Sequence, residues 1–324
     1  MMNNSVTRTL IIAEALRRGW RTEGVGPNEH FLRILHPDGR KELLWGTMST
    51  RTTAIGNMIC RYKNLTLSFV QDCGYGVPAF KIVPDEQTAL DFLEQHKKIV
   101  LKPADGQRTE GVSVGITDAA VIPKAFAYAQ QNSSKKSVIA QQHLEGNLYR
   151  IVVLDGKLVA AAWRTAAAVV GDGQSTVDEL IAQANLDPRR GKGTDTPLKT
   201  IDITAAEEFL GHDCMQSIPA VSDRIIVSPI DSISAGGEAV NVTNDVHDDW
   251  RRFAEHVATE AGLFICGYDV ICEDIAKPLS DSYVPLLEIN SSPGMKLHEY
   301  PTGGGEPIHL APLLLDALFP SEKH

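Results

Sequence analysis

Acidic and amide residues interrupt two apolar segments late in the sequence. Asp269 lies within Ile265–Cys272, and Glu288 and Asn290 lie within Pro285–Asn290. Residues two apart on a strand point to the same face, and an unpaired carboxylate inside an apolar strand is costly to bury. Hard oxygen ligands from neighbouring strands suit Mg²⁺, which often completes its shell with phosphate oxygens. We therefore predict a magnesium site at these three residues; the alternative is a strand-end polar cluster satisfied by water or a lysine.

A second candidate is a glycine-bearing segment that begins at Lys102. Gly106 and Gly111 have a Gly-x-x-x-x-Gly spacing, but Val-Ser-Val follows Gly111 instead of Lys-Ser/Thr. A P-loop must open a helix whose N-terminus holds the phosphate, and this segment leads into a strand. A Walker A loop is therefore excluded. Two interpretations stay open: a hairpin tip that closes over phosphates with Lys102 at its base, or an ordinary turn beside a surface lysine.

Two arginines form the third candidate. Arg150 follows Glu145-Gly146-Asn147-Leu148-Tyr149 at the start of one predicted strand, and Arg164 lies near the end of the next. Arginines on adjacent strands can neutralise a transferring phosphoryl group or bind a carboxylate. The alternative for each is a solvated position on the sheet. We expect Arg164 to approach from the sheet face opposite to the metal ligands.

The elements that must position these residues alternate between strands and helices. Apolar runs and helical periodicity predict a mixed α/β protein, and the close spacing of Ile99–Leu101 and Val112–Ile116 predicts an antiparallel hairpin. The other predicted strands are Phe31–Leu35, Val138–Ala140, Tyr149–Leu154, Leu158–Trp163, Arg224–Val227, Phe264–Ile271 and Val284–Ile289. The predicted helices are Lys63–Cys73, Glu86–Gln95, Ala119–Gln131, Val177–Ala184 and Asp248–Ala261.

Composition narrows the class of protein. The 324 residues suggest about two packed units, and 43% hydrophobic with 22% charged residues exclude wholesale disorder. A net charge of −10 argues against a nucleic-acid partner. Five cysteines without a C-x-x-C pair argue against a disulfide scaffold or zinc ribbon. No apolar run is long enough to span a membrane, so we expect a cytoplasmic protein without a membrane partner.

Taken in order, these segments resemble the ATP-grasp superfamily of carboxylate–amine ligases. The likeness is closest to the ATP-grasp modules of cyanophycin synthetase and of bifunctional glutamate–cysteine ligase/glutathione synthetase, and it covers nearly the whole chain. The blocks that carry it are Lys102–Ile116, Val169–Leu180, Asn185–Gly191, Ser234–Gly237 and Leu287–Met295, followed by His298.

The resemblance implies a role for individual residues. Lys63 and Lys102 would bind nucleotide phosphates, beneath a mobile loop containing Gly106 and Gly111. The hinge that presents backbone groups to adenine would comprise Gln141, Gln142, His143 and Leu144. Asp269, Glu288 and Asn290 match the Mg²⁺ ligands. The residues assigned to catalysis or to the acyl substrate are Arg150, Arg164, Ser292, Gly294 and His298.

The resemblance also implies a fold and a reaction. The fold would be ATP-grasp, α/β (α+β), with mixed sheets, a hinged glycine-loop lid and a C-terminal metal-bearing sheet. Its expected parts are residues 1–76, an N-terminal α/β unit with a linking helix; residues 77–145, the lid; and residues 146–324, the C-terminal subdomain. ATP with Mg²⁺ (or Mn²⁺) would convert a carboxylate to an acylphosphate that an amine attacks.

The substrates would be small amino acids or peptides, and the acyl donor is expected to carry more than one carboxylate. This expectation rests on cations near one cleft of an acidic protein: Arg164, with Arg189, Arg190 and Lys192 on a loop that could reach the entrance or could simply be solvated. A homodimer, glutathione synthesis proper and a degenerate nucleotide-binding module stay open. The last is motivated by Leu148 and Ser228, which stand where the family usually has an acid and an arginine.

Overall fold

The N-terminal part is a helix beside a four-stranded antiparallel sheet. The computed structural model describes residues 6–105, 110–193, 196, 198–229 and 235–321. The sheet has the order β1-β2-β3-β4, and Ile11, Ile34 and Leu44 face its core. Only one of these strands was predicted from the sequence. The elements are α1 (Val6–Arg17), β1 (Arg21–Val25), β2 (Phe31–Leu35), β3 (Lys41–Trp45) and β4 (Met48–Ser49).

Two helices lead into a second antiparallel sheet, of order β5-β8-β6-β7. Ile99 pairs with Ile116, which confirms the predicted hairpin. Two helices cover one face of this sheet and bury Phe92 and Ile122. The elements are α2 (Ala54–Arg61), α3 (Lys63–Asp72), β5 (Phe80–Val83), α4 (Glu86–His96), β6 (Ile99–Pro103), β7 (Ser113–Ile116), α5 (Ile122–Gln131) and β8 (Val138–Gln142); the helix predicted from Ala119 begins with a 3₁₀ turn, Ala119–Val121.

A long hairpin follows, and a small subdomain with its own core is inserted after it. Val177, Ile181 and Val227 lie in that core. The hairpin is β9 (Asn147–Leu154) and β10 (Lys157–Thr165). The inserted elements are β11 (Ala168–Val170), α6 (Val177–Ala184), β12 (Arg190–Gly191), β13 (Leu198–Lys199), α7 (Ile203–Leu210), α8 (His212–Met215) and β14 (Arg224–Ile226).

The remaining elements complete a five-stranded antiparallel sheet of order β15-β10-β9-β16-β17. They are β15 (Glu238–Asn241), α9 (Asp248–Glu260), β16 (Ile265–Cys272), β17 (Leu286–Asn290), α10 (Lys296–Glu299) and α11 (Leu310–Leu318). The part of the chain that the structure describes has no helix long and apolar enough to cross a membrane. All five cysteines are free thiols.

The two faces of the five-stranded sheet differ because side chains alternate along each strand. Tyr149, Ile151 and Tyr268 point toward α9 and form the largest core. On the other face, Val152 and Ile265 pack with α1 and α11 against the N-terminal sheet. That packing covers only one end of the second face. Its other end carries the polar residues described next.

Candidate functional site

Both predicted arginines and Asp269 meet on one face of the five-stranded sheet. Arg150 on β9 lies opposite Asp269 on β16. Its Nε donates to Asp269 Oδ1, and its second terminal nitrogen donates to Oδ2 over 2.8 Å. Arg164 on β10 brings a terminal nitrogen to 3.6 Å from Asp269 Oδ2. The three side chains are between 7% and 16% exposed, so water screens their charges weakly.

The prediction that Arg164 approaches from the opposite face is wrong, and a register shift explains why. Leu158 pairs with Val153, but Ala160 pairs with Val152, so Val159 is an extra residue in β10. A bulge of this kind reverses which face the following side chains occupy. Arg164 therefore lies opposite Leu148, on the same face as Asp269.

The ion pair fixes the charge of its members. Burial alone would raise the pKa of Asp269, but the charge and hydrogen bonds of Arg150 outweigh it, and the pKa is lowered. Burial alone would lower the pKa of Arg150, but the charge and hydrogen bonds of Asp269 outweigh burial. The pKa of the guanidinium is therefore raised. Both groups are therefore ionised at neutral pH.

The proposed metal ligands lie side by side on β16 and β17. Asp269 pairs in register with Glu288, and Asn290 Nδ2 donates to Glu288 Oε1 over 3.1 Å. No group of three His, Cys, Asp or Glu side chains converges among the described residues. Two carboxylates and an amide oxygen nevertheless suit a hard cation that also binds phosphate or water. Each carboxylate oxygen has two lone pairs, so Asp269 can retain Arg150 and still accept a cation.

Both predicted lysines are buried beside this cluster. Lys63 begins α3, and its Nζ lies 3.9 Å from Glu288 Oε2. Burial lowers the pKa of Lys63, while Glu288 and Asp105 oppose that effect. Lys102 on β6 is 5% exposed and donates to Gln141 Oε1 over 2.5 Å. Burial, followed by repulsion from Lys63, lowers the pKa of Lys102 to about 7.

The predicted hinge follows Gln141 along the chain. The backbone N–H of Gln142 donates to Ala79 O over 2.8 Å, and that of His143 donates to Lys98 O over 3.0 Å. These two N–H groups are therefore engaged, and an adenine ring would have to be recognised by other groups of the segment. Burial lowers the pKa of His143. Leu144 is half-buried.

The glycine segment is described only in part. Gly106 lies outside the described residues. Gly111 has φ +76°, and a Cβ there would lie 2.7 Å from Asn132 Cβ and from Pro103 Cγ. A side chain at this position would be both strained and crowded. Gly111 thus fixes the base of the segment.

The Ser291–Gly294 turn after β17 contacts the N-terminal sheet, which sequence reasoning missed. Ser292 Oγ accepts from the Thr47 backbone N–H over 3.1 Å and donates to Trp45 O over 3.1 Å. The buried hydroxyl of Thr47 donates to Pro293 O over 3.0 Å. Ser292, a predicted substrate residue, is thus held by the β3–β4 connection. Gly294 completes the turn.

His298 lies on α10, near Arg150 and Arg164 of the sheet. It is 2% exposed, and its Nε2 has no hydrogen-bond partner among the described residues. Burial and the nearby charge of Arg150 lower its pKa to about 3, so the imidazole is neutral. Leu297 packs on Ala162 and Ala239, and this contact places α10 over the face that carries Arg150 and Arg164.

Arg189 and Arg190 of the inserted subdomain differ in exposure and in their partners. Arg189 is exposed and pairs with Asp187 over 2.6 Å. Arg190 is only 6% exposed and donates to the carbonyls of Lys199 over 2.8 Å and Gly236 over 3.0 Å. Arg190 therefore braces the Gly236-Gly237 turn, and the alternative that it is a solvated loop cation is wrong.

Gly267 is a further site residue that the sequence analysis did not identify. It lies two residues before Asp269, on the same face, and a Cβ there would lie 2.9 Å from Pro293 Cβ and 3.1 Å from Arg150 Cδ. A glycine inside an apolar strand often marks close approach of another chain segment. That pattern, Ile-Cys-Gly-Tyr-Asp, could have revealed it.

Known proteins are similar to this chain in sequence and in architecture. Residues 66–184 match the family model of the prokaryotic glutathione synthetase ATP-grasp domain. Cyanophycin synthetase of Synechocystis sp. is 32% identical over 288 residues, which cover 87% of this chain and 33% of that protein. The glutathione biosynthesis bifunctional protein GshAB of Mannheimia succiniciproducens is 29% identical over 328 residues, covering 98% of this chain and 43% of that protein.

A solved structure has a similar fold. The crystal structure of a bifunctional glutathione synthetase from Pasteurella multocida matches with a TM-score of 0.76 at 26% identity, covering 98% of this chain and 44% of that one. The chain spans about a third of the length of the cyanophycin synthetases it matches. The fold and the family match lead to one conclusion: the chain has the ATP-grasp fold, and its residues 66–184 match the ATP-grasp domain of prokaryotic glutathione synthetase.

Proposed function

We propose that this chain is an ATP- and Mg²⁺-dependent carboxylate–amine ligase. The observation that supports this most directly is the meeting of Lys63, Lys102, Arg150 and Arg164 with Asp269 and Glu288 at one end of a sheet face. Four cations beside two carboxylates suit a metal-bound polyphosphate. The Ser291–Gly294 turn adjoins them and offers a place for a reacting carbonyl.

Each residue then has a role. Lys63 and Lys102 bind the phosphate oxygens of ATP, and the three oxygen ligands hold Mg²⁺, which supplies charge neutralisation when bound. The substrate carboxylate oxygen takes the γ-phosphoryl group and ADP leaves. The amine nitrogen attacks the carbonyl carbon of the acylphosphate, the amide forms, and inorganic phosphate and a proton depart. The protein contributes positioning and electrostatic stabilisation.

The acyl donor in this proposal is an amino acid or small peptide with more than one carboxylate. Arg164 and His298 supply its second anchor, since Arg164 lies on the site face and His298 lies on the helix over that face, near Arg150. Arg164 provides a charged donor, and the neutral His298 provides a hydrogen bond without added charge. We also propose that the chain divides into residues 1–76, 77–145 and 146–324, and that the individual site residues have the roles given above.

The test is phosphate release from ATP by the purified protein over a matrix of amino acids and dipeptides as acyl donor and amine. We expect release only with particular pairs, and we expect amide products by mass spectrometry. One arm pairs a γ-glutamyl dipeptide with glycine, and release confined to that arm would identify glutathione synthesis. Nucleotide binding without release over the whole matrix would contradict the ligase and favour a degenerate module.

A further inference from the structure

Gln141 connects the two sheets that flank the site. It lies on β8 and is 1% exposed. Its Oε1 accepts from Lys102 Nζ over 2.5 Å, and its Nε2 donates to Leu286 O over 3.0 Å. Leu286 begins β17, two residues before Glu288. One buried side chain thus links a lysine of the second sheet to the backbone of the strand that carries Glu288.

An amide side chain can make both contacts at once, because it has a separate acceptor oxygen and donor nitrogen. Lys102 is a donor and needs an acceptor, whereas Leu286 O needs a donor. A carboxylate would satisfy the lysine but would face the carbonyl oxygen without a hydrogen. An aliphatic residue of similar size would leave both groups unsatisfied in a buried place, which is costly. The geometry therefore suits the paired acceptor and donor of a glutamine at position 141.

Within the part of the chain that the structure describes, the hydrogen-bond partner of Lys102 is this neutral amide and no charged group. The charged groups that act on Lys102 from the surrounding elements are Lys63 on α3, which repels it, and Glu288 on β17, which attracts it. Burial outweighs Glu288, and the pKa of Lys102 is lowered to about 7. The ammonium and the neutral amine of Lys102 are therefore both accessible near neutral pH.

We propose that Gln141 is a positioning residue of the nucleotide site: it orients Lys102 and connects it to the strand that carries Glu288. The proposal rests on the ATP site proposed above. Phosphate oxygens attract the ammonium and not the neutral amine. Nucleotide binding is therefore accompanied by proton uptake at Lys102, and affinity falls as pH rises above 7.

The test compares wild-type protein with Gln141→Glu and with Gln95→Glu. Gln95 is exposed on α4, which packs on the same sheet, so its variant adds equal charge away from the site. The dissociation constant of ATP with Mg²⁺ is measured by calorimetry between pH 6.5 and 8.5. We expect wild-type affinity to fall about tenfold or more over this range, because Lys102 loses its proton. Gln95→Glu should follow the same curve, which also cancels the titration of the nucleotide itself.

Gln141→Glu should behave differently. A carboxylate beside an ammonium raises the pKa of a lysine by about 1 to 3 units, so affinity should become nearly constant across the range. Affinity at pH 6.5 should be weaker than in wild type, since the carboxylate neutralises the lysine and loses the bond to Leu286 O. A merely structural role would lower thermal stability without changing the pH at which affinity falls.

A second measurement needs no nucleotide. The ε-carbon of Lys102 in ¹³C-lysine-labelled wild-type protein, assigned by its absence in Lys102→Gln, should titrate near pH 7. Titration near pH 10, or equal pH curves for wild type and Gln141→Glu, would overturn the positioning role even if ATP binds. Failure of wild-type protein to bind ATP, with Lys102 still titrating near 7, would instead overturn the nucleotide site and its pH dependence together.

Discussion

Replacing Arg150 with methionine should expose how much the protein depends on the Arg150–Asp269 pair. The substitution keeps the length of the side chain but removes both hydrogen bonds to a carboxylate whose side chain is 7% exposed. Breaking one side of a buried ion pair costs about 3 to 5 kcal/mol. Arg164, at 3.6 Å, offsets part of this, so we expect a loss near the lower end. Urea unfolding at pH 7.5 with a chelator measures it.

Wild type and Arg150→Met should differ in how their stability changes with pH. In wild type Arg150 holds the pKa of Asp269 below its usual value, so the stability from this group is present above the unfolded-state pKa and is lost only as pH falls through the lower folded value. In Arg150→Met, burial dominates and the pKa of Asp269 rises. The variant then gains stability by protonation as pH falls, and its deficit relative to wild type should narrow between pH 7.5 and 4.5.

A double-mutant cycle with Asp269→Asn separates the pair from general packing. Asp269→Asn removes the charge that Arg150→Met would leave unpaired. The double variant should therefore be more stable than the sum of the two single losses predicts, by about 1 to 3 kcal/mol. Additive losses, or a deficit of Arg150→Met that stays constant with pH, would refute the reasoning.

Three further predictions concern activity. Glu288→Gln should abolish phosphate release without changing the circular dichroism spectrum, because it removes the charge of a proposed metal ligand; normal turnover would contradict the proposed metal site. Leu148→Glu introduces the acid that the resemblance to ATP-grasp ligases predicts at this position, so it should tighten ATP binding and increase the preference for ATP over its 2′-deoxy analogue. Since Leu148 lies opposite Arg164, a rise in acyl-donor KM alone would mean that the new carboxylate pairs with that arginine. Arg164→Ala and His298→Ala should raise the KM of the acyl donor far more than that of ATP; equal increases, or fast turnover of a monocarboxylic donor, would contradict the second carboxylate anchor.

The sequence allowed much of the site to be predicted because strand periodicity is local. The two-residue period was enough to place Glu288 and Asn290 on one face, and the apolar run around Asp269 indicated its burial. Most predicted elements are present within a few residues of their expected ends. The N-terminal sheet was largely missed, since Arg21–Val25 and Lys41–Trp45 are short and mix polar with apolar residues.

What the sequence determined by itself is therefore the local part: which segments form strands, which residues carry charge, and which chemistry their types favour. Tertiary structure decided which of these residues meet. The bulge at Val159 turned Arg164 to the site face, and no local pattern marks it. Thr47 reaches Pro293, and Gln141 reaches Leu286 across 145 residues of chain. Such contacts depend on how whole sheets pack, because a buried polar group must find its partner wherever the fold brings one within reach.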